Sequence, residues 1–139
     1  MNNDLKKALN LLESNDFTCV FVKGEEVFSS TMRGVKPLLD FLESGKDFSG
    51  FAVADKVVGK GAGFLYALLK VECVYAKVIS THALEVLKQN GITVFYGELV
   101  DGIKNRQKNG LCPIESAVLS TYSPTLALTQ IKQTLENLK

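Results

Sequence analysis

Short apolar runs rich in β-branched and aromatic residues alternate along this chain with segments of helical periodicity. Such runs fill residues 17–22, 27–29, 51–54, 73–79 and 92–96 and predict five strands. Apolar residues at helical spacing mark residues 5–12, 35–42, 61–70, 81–89, 112–118 and 124–138. A polar turn with glycine at residues 23–26 joins the first two strands as a hairpin. A hairpin followed by alternating helices and strands predicts an α/β fold of three layers, in which helices cover both faces of a mixed five-stranded sheet.

The length and charge of the chain exclude several classes of protein. Its 139 residues fit one domain, predicted to span residues 1–139. The 16 basic and 15 acidic residues give a net charge of +1, and no long run of one sign suggests a nucleic-acid-binding surface. No apolar run is long enough to span a bilayer, and the first residues do not resemble a signal peptide. The three widely spaced cysteines form no disulfide framework. We therefore expect a cytoplasmic protein without nucleic-acid or membrane partners.

A glycine-rich segment follows the third predicted strand. Two of the four fixed positions of a P-loop are wrong here, and the dinucleotide fingerprint lacks its third glycine. What remains is a turn over residues 55–60 and a helix that begins near Gly59. The free N–H groups of a helix start favour an anion, and Lys60 adds a positive charge, so Gly59 and Lys60 are predicted ligand-binding residues and Asp55 a predicted acid or base. In the alternative interpretation the glycines only let the helix pack closely on the sheet, and Asp55 is a cap.

The sequence Cys112-Pro113-Ile114-Glu115 is a second predicted helix start. A thiol at that position is favoured as a thiolate, so Cys112 is a candidate nucleophile, and Glu115 could act as acid or base. The basic segment before it contains Arg106, a candidate for holding an anionic ligand. In the alternative interpretation Glu115 accepts from the Cys112 backbone N–H, as in a capping box.

Two further candidates complete the predicted site. Arg33 precedes the second helix, where it could bind a carboxylate or phosphate, although a plain surface arginine is the alternative. His82 is the only histidine, and the chain contains neither C-x-x-C nor H-x-E. The residues therefore do not predict a zinc site, and we expect neither a metal nor another cofactor.

Several segments taken together resemble one known family. They are GVKPLL at 34–39, AVADKVVGK at 52–60, VYAKVIS at 74–80, and Asn105-Arg106 followed by CPIE at 112–115. The combination resembles the bacterial domain-of-unknown-function 1893 family over about residues 17–121, with the opening and closing helices outside it. The resemblance implies a cytidine-deaminase-like fold, in which the site lies where helix N-termini converge at one sheet edge. Because the zinc ligands and glutamate of zinc deaminases are missing from the corresponding helix starts, the residues contradict a zinc-dependent deaminase.

Three functions are compatible with these residues. The first is a metal-free enzyme acting on a small anionic, nucleotide-like molecule, with Lys60 and Arg106 holding the anion, Asp55 or Glu115 moving protons, and Cys112 as nucleophile. The second is a non-catalytic ligand-binding or sensor domain that uses the same pocket. The third is an interaction module that forms a homodimer and uses its polar residues only as caps. The first two require the 55–60 and 106–115 segments to meet in space.

Overall fold

The structure is a computed structural model that describes residues 1–105 and 107–138. Its strands are β1 (Cys19–Lys23), β2 (Glu26–Ser30), β3 (Ala52–Val58), β4 (Cys73–Ser80) and β5 (Thr93–Val100). They form one central five-stranded sheet of order β2-β1-β3-β4-β5. β1 runs antiparallel to both β2 and β3, whereas β3, β4 and β5 are parallel to one another. The predicted mixed sheet and its opening hairpin are confirmed.

Helices cover both faces of the sheet, as predicted. The first helix, α1 (Asn3–Ser14), covers one face, where Ala8 and Leu12 pack against Val20 and Val22 of β1. The large core lies on the opposite face, under the other helices, with Phe21 and Leu65 among its buried residues. The helices are α1 (Asn3–Ser14), α2 (Lys36–Glu43), α3 (Lys60–Leu69), α4 (Thr81–Gln89), α5 (Pro113–Ala117) and α6 (Pro124–Asn137).

The third and fifth strands are longer than predicted. The segment interpreted as a turn at 55–60 continues β3 to Val58, with Asp55 paired to Cys19 on one side and Ala76 on the other. β5 continues to Val100, which pairs with Ser80. Both extensions have the same cause: the neighbouring strands supply hydrogen-bond partners that local composition does not reveal. The prediction of a turn that begins at Asp55 is therefore wrong, because Asp55 lies within the sheet.

None of the helices in the described ranges is both long enough and apolar enough to cross a membrane.

Candidate ligand-binding cavity

A cavity of about 540 Å³ lies at the carboxyl end of β3. The chain reaches it from four directions: the start of β1, the connection from β2 to α2, the junction of β3 with α3, and the segment that leads into α5. The lining residues are Asp16, Thr18, Cys19, Thr31, Arg33, Gly34, Val35, Leu38, Asp55, Lys56, Val57, Gly59, Gly61, Ala62, Ile103, Cys112, Ile114 and Glu115.

Five of the predicted site residues line this one cavity. They are Arg33, Asp55, Gly59, Cys112 and Glu115. The two segments meet because the backbone N–H of Lys60, at the start of α3, donates to the Glu115 carboxylate of α5 over 2.6 Å. The roles predicted for these five residues stay predictions. Arg106, also predicted to bind the ligand, lies outside the described residues.

Asp55 is a buried carboxyl group at the inner wall of the cavity. The Tyr66 hydroxyl donates to its Oδ2 over 2.5 Å, and the Val57 backbone N–H donates to Oδ1 over 3.2 Å. Burial raises the pKa of Asp55 from 3.8 to about 6, although the hydrogen bonds from Tyr66 and the backbone oppose the rise. The two carboxylate oxygens of Asp55 accept hydrogen bonds from Val57 and Tyr66. The N-cap residue of α3 is Gly59, which has no side chain to cap the helix. The interpretation of Asp55 as a helix cap is therefore wrong.

Glu115 is the most deeply buried of the polar groups around the cavity, with only 1% of its surface exposed. Its Oε2 accepts from the Lys60 N–H, whereas its Oε1 has no hydrogen-bond partner in the described part of the chain. The Cys112 N–H donates instead to the Ile103 carbonyl over 2.8 Å. The capping-box interpretation of Glu115 is therefore wrong, because this carboxylate serves a different helix.

Two glycines of the predicted cluster make this contact between helices sterically feasible. A Cβ on Gly59 would lie only 2.4 Å from Glu115 Oε2, and a Cβ on Gly61 only 2.5 Å from Ile114 Cγ2. Gly63 lies against Ala83 of α4 at ordinary contact distance. The glycines thus permit close packing as the alternative interpretation held, but against α5 and α4 rather than against the sheet.

Lys60 does not line the cavity. Its side chain is buried, its ammonium donates to the Leu119 carbonyl over 2.5 Å, and the same nitrogen lies 4.9 Å from the centre of the Tyr122 ring. Burial lowers the pKa of Lys60, while the charges of Glu85 and Glu115 oppose the change. The side chain fastens the segment that follows α5, so its position gives no support to the predicted anion-holding role.

The cationic side chains that line the cavity belong to exposed or half-exposed residues near its mouth. Arg33 is exposed and makes no hydrogen bond or ion pair with any described residue. Lys56 is half-exposed, and its ammonium forms an exposed ion pair with the carboxylate of Asp16 over 3.9 Å. The positive charge available to a ligand therefore lies at the mouth, not at the helix start where the sequence predicted it.

The three cysteines are free thiols in different environments. Burial raises the pKa of the Cys19 thiol well above its usual range, and the nearby charge of Asp55 adds to the effect. Burial also raises the pKa of Cys73. Both residues are buried. Cys112, the N-cap of α5, is half-exposed and faces the cavity.

Sequence reasoning missed several groups that shape the cavity, above all Tyr66 and Lys56. Tyr66 lies in the middle of α3 with its hydroxyl on Asp55, and nothing in the helical pattern separates it from an ordinary core aromatic. Lys56 belongs to the segment that was interpreted as a turn. Alternation along β3 would not have identified it either, because it places Lys56 on the opposite face from side chains 55 and 57.

The described residues contain no group of three or more histidine, cysteine, aspartate or glutamate side chains arranged to hold a metal ion.

The chain is similar to proteins of one family over most of its length. The model of a domain of unknown function, DUF1893, matches residues 7–135. The crystal structure of a DUF1893 family protein from Thermotoga maritima has 28% sequence identity and a TM-score of 0.85, over 99% of this chain and 91% of that one. The apo dCMP deaminase of cyanophage S-TIM5 has 16% identity and a TM-score of 0.47, over 69% of this chain and 99% of that one. That second likeness is too weak to support an argument about activity. None of the curated proteins matches this chain.

The family match begins within α1 and ends within α6. The expectation that the opening and closing helices lie outside the family is therefore wrong.

Proposed function

The chain belongs to the DUF1893 family, and we propose that the cavity beside Asp55 binds a small anionic, nucleotide-like molecule. The observation that carries this proposal is the meeting of two distant segments, which bring two buried carboxyl groups, Asp55 and Glu115, to the wall of one cavity. Buried charges are costly to the fold unless they are fully compensated, and they concentrate at functional sites. A volume of about 540 Å³ falls within the roughly 300–1,000 Å³ usual for small-molecule sites.

The mouth of the cavity supports the anionic part of the proposal. Arg33 presents a guanidinium that the described residues leave unpaired, and Lys56 lies on the same cavity. A guanidinium binds a phosphate or carboxylate through paired hydrogen bonds. Because Arg33 is exposed, the interaction is screened by salt, so we expect affinity for an anionic ligand to fall as ionic strength rises.

A thermal-unfolding screen tests the proposal directly. The compounds are inorganic phosphate, pyrophosphate, ribose 5-phosphate and nucleoside monophosphates, at low ionic strength. A ligand that binds only the folded protein raises its unfolding temperature, and at 100 times Kd it contributes about 2.7 kcal/mol. The proposal fails if none of these compounds raises the unfolding temperature at millimolar concentration, and the interaction-module hypothesis then gains.

Arg33→Ala separates binding at the mouth from general charge effects. We expect it to raise Kd about tenfold, equivalent to about 1.4 kcal/mol. Lys36→Ala is the matched control, since Lys36 is an exposed cation nearby that pairs with Asp40 over 2.6 Å and does not line the cavity. Equal weakening by both variants would show that the ligand senses net charge rather than this site.

Catalysis is a second candidate function, favoured by one observation. Asp55 has a pKa of about 6, which suits an acid or base near neutral pH, and Cys112 lines the same cavity. Any compound that binds is therefore also tested for turnover. If Asp55 acts as a base, the rate should rise with pH through an apparent pKa near 6; if it acts as an acid, the rate should fall there. In either case turnover should be lost in Asp55→Asn, whereas a sensor predicts binding without turnover.

The three free thiols support our further proposal that the protein works in the reducing cytoplasm.

A further inference from the structure

The buried end of the cavity has the opposite character from its mouth. The buried carboxyl groups of the wall are Asp55 and Glu115, beside the Cys19 thiol, whereas the cations Arg33 and Lys56 lie toward solvent together with the carboxylate of Asp16. From this polarity we infer that the ligand is bipolar: it carries its anion at the mouth and inserts an N–H-bearing head, such as the amino group of a heterocycle, that donates to Glu115. The inference rests on the proposed function and specifies the ligand class of the same site.

The helix start that would ordinarily attract an anion is already occupied. Free N–H groups and the helix dipole make the start of a helix such as α3 a site for negative charge. Here the Glu115 carboxylate fills that position, with Oε2 accepting from the Lys60 N–H over 2.6 Å. A phosphate placed in the same region would face this carboxylate at close range, and like charges at close range repel. The anion of the ligand is therefore directed away from α3.

Glu115 is also incompletely satisfied. Its Oε1 is buried and lacks a partner within the described ranges, whereas nearly all buried polar atoms in folded proteins have one. The absence of a side chain on Gly59 leaves the room that the carboxylate occupies, since a Cβ there would lie 2.4 Å from Oε2. Glu115 thus holds a buried carboxylate oxygen that the described residues leave without a donor, and the residue itself lines a cavity that can admit a small molecule.

The apolar part of the cavity wall determines which shapes of ligand head fit. Val35, Ile103 and Ile114 contribute apolar surface to the same cavity. Apolar walls with a few fixed polar groups suit a compact ring that buries its faces and presents a polar edge. An amino group on that edge would supply the N–H that Glu115 lacks, and Asp55 offers a second acceptor nearby. An oxo group at the same position would place one acceptor against another.

Three matched pairs of nucleotides test the inference, each differing by an amino or an oxo substituent: AMP and IMP, CMP and UMP, GMP and XMP. Binding is measured by calorimetry at low ionic strength. For at least one pair we expect the amino compound to bind about tenfold more tightly than its oxo partner, equivalent to about 1.4 kcal/mol. Ribose 5-phosphate, which carries the anion without a head, should bind more weakly than the amino compound.

Glu115→Gln supplies the decisive comparison. The Lys60 N–H needs an acceptor, so the amide oxygen takes the place of Oε2 and the amide NH₂ takes the place of Oε1. The side-chain group that faces the head of the ligand thus changes from a hydrogen-bond acceptor to a donor, while the side chain keeps its size. We expect the preference to reverse, with the oxo compound now binding more tightly than the amino compound. The wild-type selectivity alone remains a test if this variant does not fold.

The possible failures are distinguishable. If phosphate compounds bind in an Arg33-dependent manner but the amino and oxo partners bind equally, the inference is wrong and the proposed function stands. If Glu115→Gln weakens both members of a pair equally, the inference is also wrong, because Glu115 then acts only on the fold. If neither the nucleotides nor the simpler phosphates bind, the inference and the proposed function both fail.

Discussion

Gly59→Ala probes the contact that joins the two halves of the site. Gly59 has an extended backbone, with φ −95° and ψ 178°, which alanine adopts without strain. Its new methyl group would nevertheless lie 2.4 Å from Glu115 Oε2 and 3.1 Å from Ile103 Cγ1. Neither distance can persist, so the carboxylate must withdraw from the Lys60 N–H. We therefore expect α5 to loosen from α3.

The size of the effect follows from the bond that is lost. A hydrogen bond to a charged group contributes about 1.5–3 kcal/mol, and breaking it here also leaves a helix N–H unpaired. Replacing glycine by alanine offsets about 0.4–1 kcal/mol of this by restricting the unfolded chain. The net loss should be roughly 1–2 kcal/mol, which for a domain of this size lowers the unfolding temperature by roughly 4–8 °C.

Urea unfolding followed by circular dichroism measures this loss, and two comparisons isolate its cause. Gly63→Ala is the same substitution within the same helix, but its methyl meets nothing closer than 3.5 Å, so it should stabilise the protein by about 0.5–1 kcal/mol. In a Glu115→Ala background, Gly59→Ala should no longer destabilise the protein and should stabilise it by at most about 0.4–1 kcal/mol, because its main clash is gone and only the restriction of the unfolded chain remains. Equal destabilisation in both backgrounds would refute the reasoning, since the cost would then not pass through Glu115.

Three further predictions concern individual side chains. The pKa of Asp55 is raised by burial to about 6 in the folded protein, so its protonated form is preferred by the fold. The stabilisation that protonated Asp55 contributes is fully present below pH 3.8 and is lost as the pH rises through 6, about 3 kcal/mol in all. Asp55→Asn should abolish this pH dependence of the free energy of unfolding. If that free energy, measured by urea unfolding, changes in parallel for wild type and variant from pH 4 to 8, the prediction is wrong. Cys112 is the half-exposed thiol, so the native protein should show one fast reaction with a disulfide reagent at neutral pH, lost in Cys112→Ser; a second thiol reacting equally fast would show that Cys19 or Cys73 is accessible. Lys60→Met removes the donor to the Leu119 carbonyl and should lower stability by about 1–2 kcal/mol while leaving Kd for a phosphate compound unchanged. A change in Kd as large as that caused by Arg33→Ala would show that Lys60 takes part in ligand binding.

Much of the candidate site could be anticipated from residue types at predicted element ends. Arg33, Asp55, Gly59, Cys112 and Glu115 lie at or near the ends of predicted elements, and all five line the cavity. Their partners could not be anticipated. Hydrogen bonds between groups far apart in the chain depend on how helices pack, and packing distances are not encoded in local periodicity.

The two carboxyl groups illustrate the difference. From sequence, Glu115 was expected either as an acid or base or as a cap for its own helix, and Asp55 either as an acid or base or as a cap for α3. In the structure the Glu115 carboxylate accepts from the start of α3, and Asp55 accepts from Tyr66 in the middle of that helix. Both differences arise because a buried polar group must find a partner among whatever the fold brings within reach.

The alternation of strand and helix patterns by itself determined the α/β class, the hairpin and the mixed five-stranded sheet. These features follow from side-chain periodicity, which is a local property of the chain. The tertiary structure alone decided that β3 continues through Asp55, because only paired neighbours can extend a strand past polar residues. It also decided that Glu115 rather than a ligand occupies the start of α3, because the glycine at position 59 lets a distant helix approach to hydrogen-bonding distance.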